Sequence, residues 1–239
     1  MPPSLPRESL FALALHPLFS GLAEPDLLAL LGGAEVIARP DDTVVFVREQ
    51  PADSFFVVLD GHVELFVEDG GRRSVLEVAG RSAMLGEAAL FGGRHYLTTA
   101  RVVGYAKLLV VPAAPFLAAL DRRFDLALRM LGSMSMRLRA LIVQITELKL
   151  KSTGQRLAGF LLGLTTKYDG AAVVRFPYDK RLAAETLGMT AESLSRALLR
   201  LAPLGVISRP DNVVAIADLA ALREFCVEEA ADEPVSRAR

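Results

Sequence analysis

Glu192, Ser195, Arg196 and Leu199 recur at steps of three, one and three, with Arg200 beside them, inside an unbroken run from Ala191 to Leu201. On a helix those steps place the four side chains on one face. A guanidinium there can donate two hydrogen bonds to guanine O6 and N7, and a carboxylate can accept from cytosine N4, so the chemistry on offer is the reading of base edges. Leu194, Ala197, Leu198 and Leu201 fall on the opposite face, where Leu182 and Leu187 of a preceding helix would meet them. A recognition helix needs this division, because the apolar stripe fixes it to its domain while short polar groups near its N-terminal half reach the bases. Thr190 precedes the run as a good N-cap. The expected nucleic-acid-binding set is Thr190, Glu192, Ser193, Ser195, Arg196 and Arg200.

An ordinary amphipathic surface helix could carry the same residues, so the elements around it decide. Gln155 to Leu164 has helical spacing, Val173 to Phe176 is a short strand, and Lys180 to Leu187 is a helix separated from the next only by Gly188-Met189-Thr190. Val206 to Ser208 and Val213 to Ile216 then flank Arg209-Pro210-Asp211-Asn212 as a hairpin. Helix, tight glycine turn, helix and hairpin is the order of a winged helix-turn-helix. Upstream, Phe124 to Leu150 lacks proline, and Leu131, Met134, Leu138, Leu141, Ile142, Ile145 and Leu148 recur at three- and four-residue steps. A helix of about 25 residues spans about 40 Å, longer than one small domain covers on that stripe; a long core helix is one reading, and the near-heptad spacing favours the other, a homodimer seam formed by Leu131, Met134, Leu138, Leu141, Ile142 and Ile145.

Before that helix the rhythm is that of strands. Thr43 to Val47, Ser54 to Leu59, His62 to Val67, Ser74 to Val78, Thr98 to Val103 and Lys107 to Val111 are β-branched and aromatic runs. Asp60-Gly61 and Asp69-Gly70-Gly71 read as hairpin turns between them, giving an antiparallel sandwich or roll behind a helix from Glu24 to Leu31. The fold class is therefore α+β. The expected domains are residues 1–120, a sensor roll with its N-terminal helix; 121–150, the dimerisation helix; and 151–239, the winged helix-turn-helix, with a polar tail from Glu228 expected to be disordered.

Composition bounds what else the chain can be. It has 239 residues, 52% apolar and 23% charged, with a formal net charge of −1. A near-neutral total gives no general attraction to nucleic acid, so a local patch must supply it, and Lys180, Arg181, Arg196, Arg200 and Arg209 gather in the C-terminal region. The lone Cys226 excludes a disulfide framework, a CxxC zinc site and a cysteine-held iron–sulfur cluster, and reads as a small packed hydrophobe. No stretch is long enough to cross a bilayer and no secretory signal is legible, so the expected location is cytoplasmic. Walker loop, HExxH and nucleophile-elbow motifs are absent, which points away from an enzyme.

Two motifs then carry a resemblance. Leu182 to Arg196, with Glu192-Ser193-Leu194-Ser195-Arg196 inside it, and the cassette Leu85-Gly86-Glu87-Ala88-Ala89-Leu90-Phe91 together resemble the CRP/FNR superfamily of bacterial transcription regulators over residues 16 to 226. The resemblance implies a cyclic-nucleotide-binding-type β-roll, a long dimerisation helix and a C-terminal winged helix-turn-helix that binds a palindromic promoter site. Glu192-Ser193-Leu194-Ser195-Arg196 is similar to the E-x-x-S-R pattern of the FNR-like branch, whose half-sites resemble TTGA, and on that analogy Glu192, Ser195 and Arg196 read bases. Implied partners are double-stranded DNA, a second copy of the chain and, for an activator, RNA polymerase.

The same resemblance frames the effector. In cyclic-AMP-binding members the cassette Glu meets the ribose and an Arg neutralises the phosphate. Here Gly86 and Glu87 are kept, but Thr98, followed by Thr99, stands where that Arg belongs, with Arg94 and Arg101 as displaced substitutes. A threonine cannot balance a phosphate charge, so cyclic AMP is not the expected effector. Gly86, Glu87, Thr98 and Thr99 form the expected effector pocket. Gln155 to Leu162 and Phe176 to Lys180 look most like the Dnr/NnrR branch, which activates denitrification genes in response to nitric oxide. Haem is the cofactor that branch implies, with His16, His62 and His95 as the available imidazoles and no axial ligand assigned. Two further readings stand beside this one: a cyclic-nucleotide-responsive regulator, and an effector-binding module that acts on a protein partner.

Overall fold

The structure is a computed structural model describing Leu13, His16, Phe19 and residues 22–227. The chain divides into two compact units, one through Arg139 and one from Ala140. The first begins with α1 (Glu24–Leu30), β1 (Glu35–Pro40), β2 (Val44–Phe46) and the long β3 (Ser54–Asp69). Gly70 and Gly71 then hold positive φ angles of 54° and 75°, which turns the chain back into β4 (Arg72–Ala79) at the expected hairpin, with Asp69 paired to Arg72. β5 (Met84–Leu85), a 3₁₀ turn at Glu87–Leu90 and β6 (Thr99–Pro112) complete the roll. Strand order is β1-β6-β3-β4, with β2 also on β6 and β5 also on β3, all antiparallel.

Asp60-Gly61 is not the hairpin turn its residue types predict. It lies within β3, which runs straight through it, and His62 is a half-buried strand residue. Gly61 takes φ +81° at a register shift opposite Ala106, where a Cβ would fall 1.9 Å from the Tyr105 carbonyl oxygen. The glycine makes a bulge at a close backbone crossing instead of a chain reversal. Alternate residues of β3 enter different cores: Phe55, Val57 and Leu59 one, Phe56 and Val58 the other.

Further along β3, Glu64 is buried between Arg101, whose Nε donates to its carboxylate at 2.7 Å, and Arg73. Both guanidinium groups lie over the Phe66 ring. Burying this carboxylate is tolerable because two cations compensate it.

α2 (Ala113–Arg122) and α3 (Phe124–Leu150) follow. In the first, Pro112 and Pro115 occupy the N-cap and first turn, where a missing N–H costs nothing. α3 matches its expected bounds and is shared between the units. Leu126 and Met130 are buried in the roll's core, and Met134 packs partly against it.

In the second unit α4 (Thr153–Gly163) starts at a capping box. Ser152 Oγ accepts from the Gln155 amide at 3.2 Å, and Gln155 Oε1 accepts from the Ser152 amide at 2.9 Å. Ser152→Ala is expected to cost about 1 kcal/mol of this unit's stability, read as a lower urea midpoint with unchanged slope. There follow β7 (Ala172–Arg175), α5 (Lys180–Thr186), α6 (Ala191–Leu201), β8 (Val206–Ser208), β9 (Val213–Ile216) and α7 (Leu219–Val227). β9 pairs with both β7 and β8. Cys226 is half-buried on α7 against the Gln155 carbonyl, and burial pushes its thiol pKa up, as suits a packed side chain. Among the described residues no helix is long and apolar enough to cross a membrane. The expected tail from Glu228 lies outside the described residues.

Candidate nucleic-acid interface

Both helices of the turn motif begin at side-chain caps. Asp179 accepts from the Leu182 amide at 2.8 Å to start α5, and Thr190 Oγ1 accepts from the Ser193 amide at 3.1 Å to start α6. Between them Gly188 takes φ +64°, and a Cβ there would lie 2.7 Å from Leu148 Cδ2 and 3.1 Å from Arg156 Nη1. Arg156 Nη1 donates to the Leu187 carbonyl at 2.6 Å, satisfying the end of α5. These contacts set the turn that aims α6.

The apolar stripe of α6 is buried as expected. Leu194, Ala197, Leu198 and Leu201 join Leu157, Leu161, Ala183, Ala184 and the wing residues Val206, Val214 and Ile216 in one cluster. Leu187 packs partly against it; Leu182 is buried as well, and α5 gives this cluster Ala183 and Ala184. The opposite face is open: the side chains of Glu192 and Arg196 are 79% and 63% exposed. They form an (i, i+4) ion pair at 3.7 Å, an exposed contact weak enough to be given up to another partner.

Ser195 is exposed and its Oγ donates to the Ala191 carbonyl at 3.0 Å, leaving its oxygen free to accept. Ser193 is half-buried and receives the Thr190 hydroxyl at 3.0 Å, so these two act first as the helix cap. Arg200 is exposed beside Leu199. Lys180 Nζ donates to Ser208 Oγ at 2.7 Å, joining α5 to the wing, and Arg181 and Arg209 are exposed. The wing's hairpin turns at Asp211 and Asn212, both at positive φ, and the Arg209 amide donates to the Val213 carbonyl at 2.8 Å.

Of the expected seam, Leu131, Leu138, Leu141, Ile142 and Ile145 are exposed along α3. Met134 is the exception, turned partly into the roll's core, about 60° around the helix from Leu131. Phe124 and Leu128, exposed and not among the expected residues, extend the stripe toward the helix start. Phe124, Leu128, Leu131, Ser135, Leu138, Ile142 and Ile145 alternate four- and three-residue steps, the signal that could have found the first two.

In the roll, Gly86 holds φ +78° beneath Tyr96, which stacks on Phe46 at 4.1 Å and donates its hydroxyl to the Ser54 carbonyl at 2.7 Å. Glu87 is half-buried, and burial raises its carboxyl pKa against the opposing pull of a backbone hydrogen bond and Arg137. Arg137 on α3 pairs with Glu77 through both guanidinium nitrogens, with Nη1 to Oε1 at 2.9 Å. Thr98 and Thr99 are half-buried, and Thr99 Oγ1 accepts from the Arg48 amide at 3.1 Å. Arg101 is held by Glu64 and, at 2.8 Å, by Asp42.

A β-roll of this kind followed by a winged helix-turn-helix with an open polar face is the arrangement of a DNA-binding transcription regulator. Comparison with known proteins gives the same answer. Residues 37–123 match the cyclic nucleotide-binding domain and residues 155–225 the Crp-like helix-turn-helix domain. The solved structure of a cyclic nucleotide binding protein from Ruegeria pomeroyi is 32% identical, covering 93% of this chain and 99% of that one with a TM-score of 0.67. DNR from Pseudomonas aeruginosa is 28% identical over 93% of this chain and 100% of that one, at TM-score 0.53. The cyclic AMP receptor protein of Thermus thermophilus is 26% identical over 87% of this chain and 96% of its own length. The chain belongs to the Crp/Fnr family of regulators, whose members bind DNA and act as dimers.

Proposed function

We propose that this regulator binds, as a homodimer, a palindromic duplex with TTGA-like half-sites and controls denitrification genes in response to nitric oxide. The observation that carries the DNA part is the division of α6: four apolar residues buried on one side, Glu192, Ser195 and Arg196 exposed on the other. Two copies related by a two-fold axis would present those faces to half-sites about one helical turn, roughly 34 Å, apart. The exposed stripe on α3 supports the pairing. The resemblance of Gln155 to Leu162 and Phe176 to Lys180 to the Dnr/NnrR branch, with the similarity to DNR, supports the nitric oxide part. RNA polymerase is the further partner if the protein activates.

Cyclic AMP is a poor fit as the effector. Thr98 brings no positive charge, Arg101 is committed to Glu64 and Asp42, and Arg137 stands between the carboxylates Glu77 and Glu87. Haem is not supported by the histidines. His16 packs against Phe19 and burial lowers its pKa, His62 is a strand residue beside Gly80, and exposed His95 engages the Gly93 carbonyl through Nδ1.

Selection of duplexes from a random pool defines the site, and Arg196→Ala tests it. The substitution is expected to cost about 1–3 kcal/mol of specific binding, roughly 5- to 150-fold, while binding to scrambled duplex changes little. Unchanged discrimination between selected and scrambled duplexes would overturn the assignment of α6 as the reading helix.

A further inference from the structure

Leu199 is the one apolar member of the face of α6 that carries Glu192, Ser195 and Arg196. It is 73% exposed, whereas Leu194, Leu198 and Leu201 on the same helix are 1%, 9% and 0% exposed. Its position on the helix is not at the edge of the polar face but near its centre. At about 100° per residue it lies about 20° from Glu192, with Ser195 on one side of that line and Arg196 on the other. It also lies about 10 Å further along the axis than Glu192, the length of about three base steps.

An isobutyl group makes no hydrogen bond, so it can add nothing to the donor and acceptor pattern that its neighbours read. The major groove offers one apolar recognition element, the 5-methyl group of thymine. Arg200, exposed beside it, brings the charge that a phosphate contact needs, so this position is free to be apolar. We propose that Leu199 is a specificity-determining residue that recognises a thymine in each half-site by packing on its 5-methyl group, about three base steps from the base met by Glu192. This rests on the reading that the exposed face of α6 enters the groove. The contact removes apolar area of both partners from water, and a single methyl at this scale is worth about fourfold in affinity per half-site.

The test replaces each thymine of the selected duplex, one position at a time and in both half-sites together, by deoxyuridine. This removes the methyl group and leaves pairing and hydrogen-bond pattern intact. The expected result is one position at which the full-length protein loses about fifteenfold, the product of two half-sites, with other positions near unity. Leu199→Ala, a change at an exposed side chain that no core residue leans on, is expected to bind the thymine duplex more weakly and to ignore the deoxyuridine exchange at that position. If no position responds to deoxyuridine, or if the response survives in Leu199→Ala, the proposal is overturned. Should the protein bind selected and scrambled duplexes alike, the reading of α6 falls and this inference with it. Loss of discrimination in Arg196→Ala without any deoxyuridine effect overturns the role of Leu199 alone.

Discussion

Leu138→Glu combined with Ile142→Glu is expected to sediment as a monomer at concentrations where the parent chain is a dimer. In the single chain these side chains are 59% and 55% exposed, and they occupy the middle of a stripe with alternating four- and three-residue steps. Pairing two such stripes would bury both residues on both helices. At about 1.5–3 kcal/mol for each aliphatic side chain, four of them account for about 6–12 kcal/mol of association, before the repulsion of four carboxylates is added. That exceeds a factor of ten thousand in the dimer constant. Because neither side chain belongs to a core within the chain, helicity by circular dichroism should stay unchanged. Affinity for a two-half-site duplex should fall to that of a single half-site. A dimer that persists would place the interface away from this stripe.

Gly61→Ala is expected to destabilise the first unit by about 3–5 kcal/mol, lowering its calorimetric transition by more than about 10 °C while the transition of the second unit stays in place. The added Cβ would lie 1.9 Å from the Tyr105 carbonyl oxygen, 2.8 Å from its carbon and 2.9 Å from Ala106 Cα. All three are backbone atoms of β6, the strand paired along nearly the whole length of β3, so no side chain can swing aside. The φ of +81° adds the cost of a left-handed conformation. An unaltered transition would mean that the two strands can separate at this crossing without loss.

The same glycine marks where sequence reading reached its limit. Asp-Gly is a strong local turn signal, but here cross-strand pairing of Asp60 with Lys107 and Gly61 with Ala106 overrides it, and pairing with a strand more than 40 positions away leaves no local trace. The Glu64 cluster was illegible for a related reason: register shifts in β3 and β6 decide which charges face one another. α3, α5 and α6 were legible almost to the residue, because an amphipathic helix writes its buried face into its own spacing. Met134 shows what spacing does not resolve, since a residue about 60° off a stripe can turn to either neighbour. The division of α6 was read correctly for its buried half. Whether an exposed hydroxyl is occupied by its own helix, as those of Thr190, Ser193 and Ser195 are, depends on rotamers that composition does not record.

The Glu192–Arg196 pair holds one of the two arginines of α6 against a counter-charge before any duplex arrives. Its guanidinium already leans on the carboxylate four residues behind, so docking on the proposed reading is an exchange of one counter-charge for another, not the settling of a bare cation.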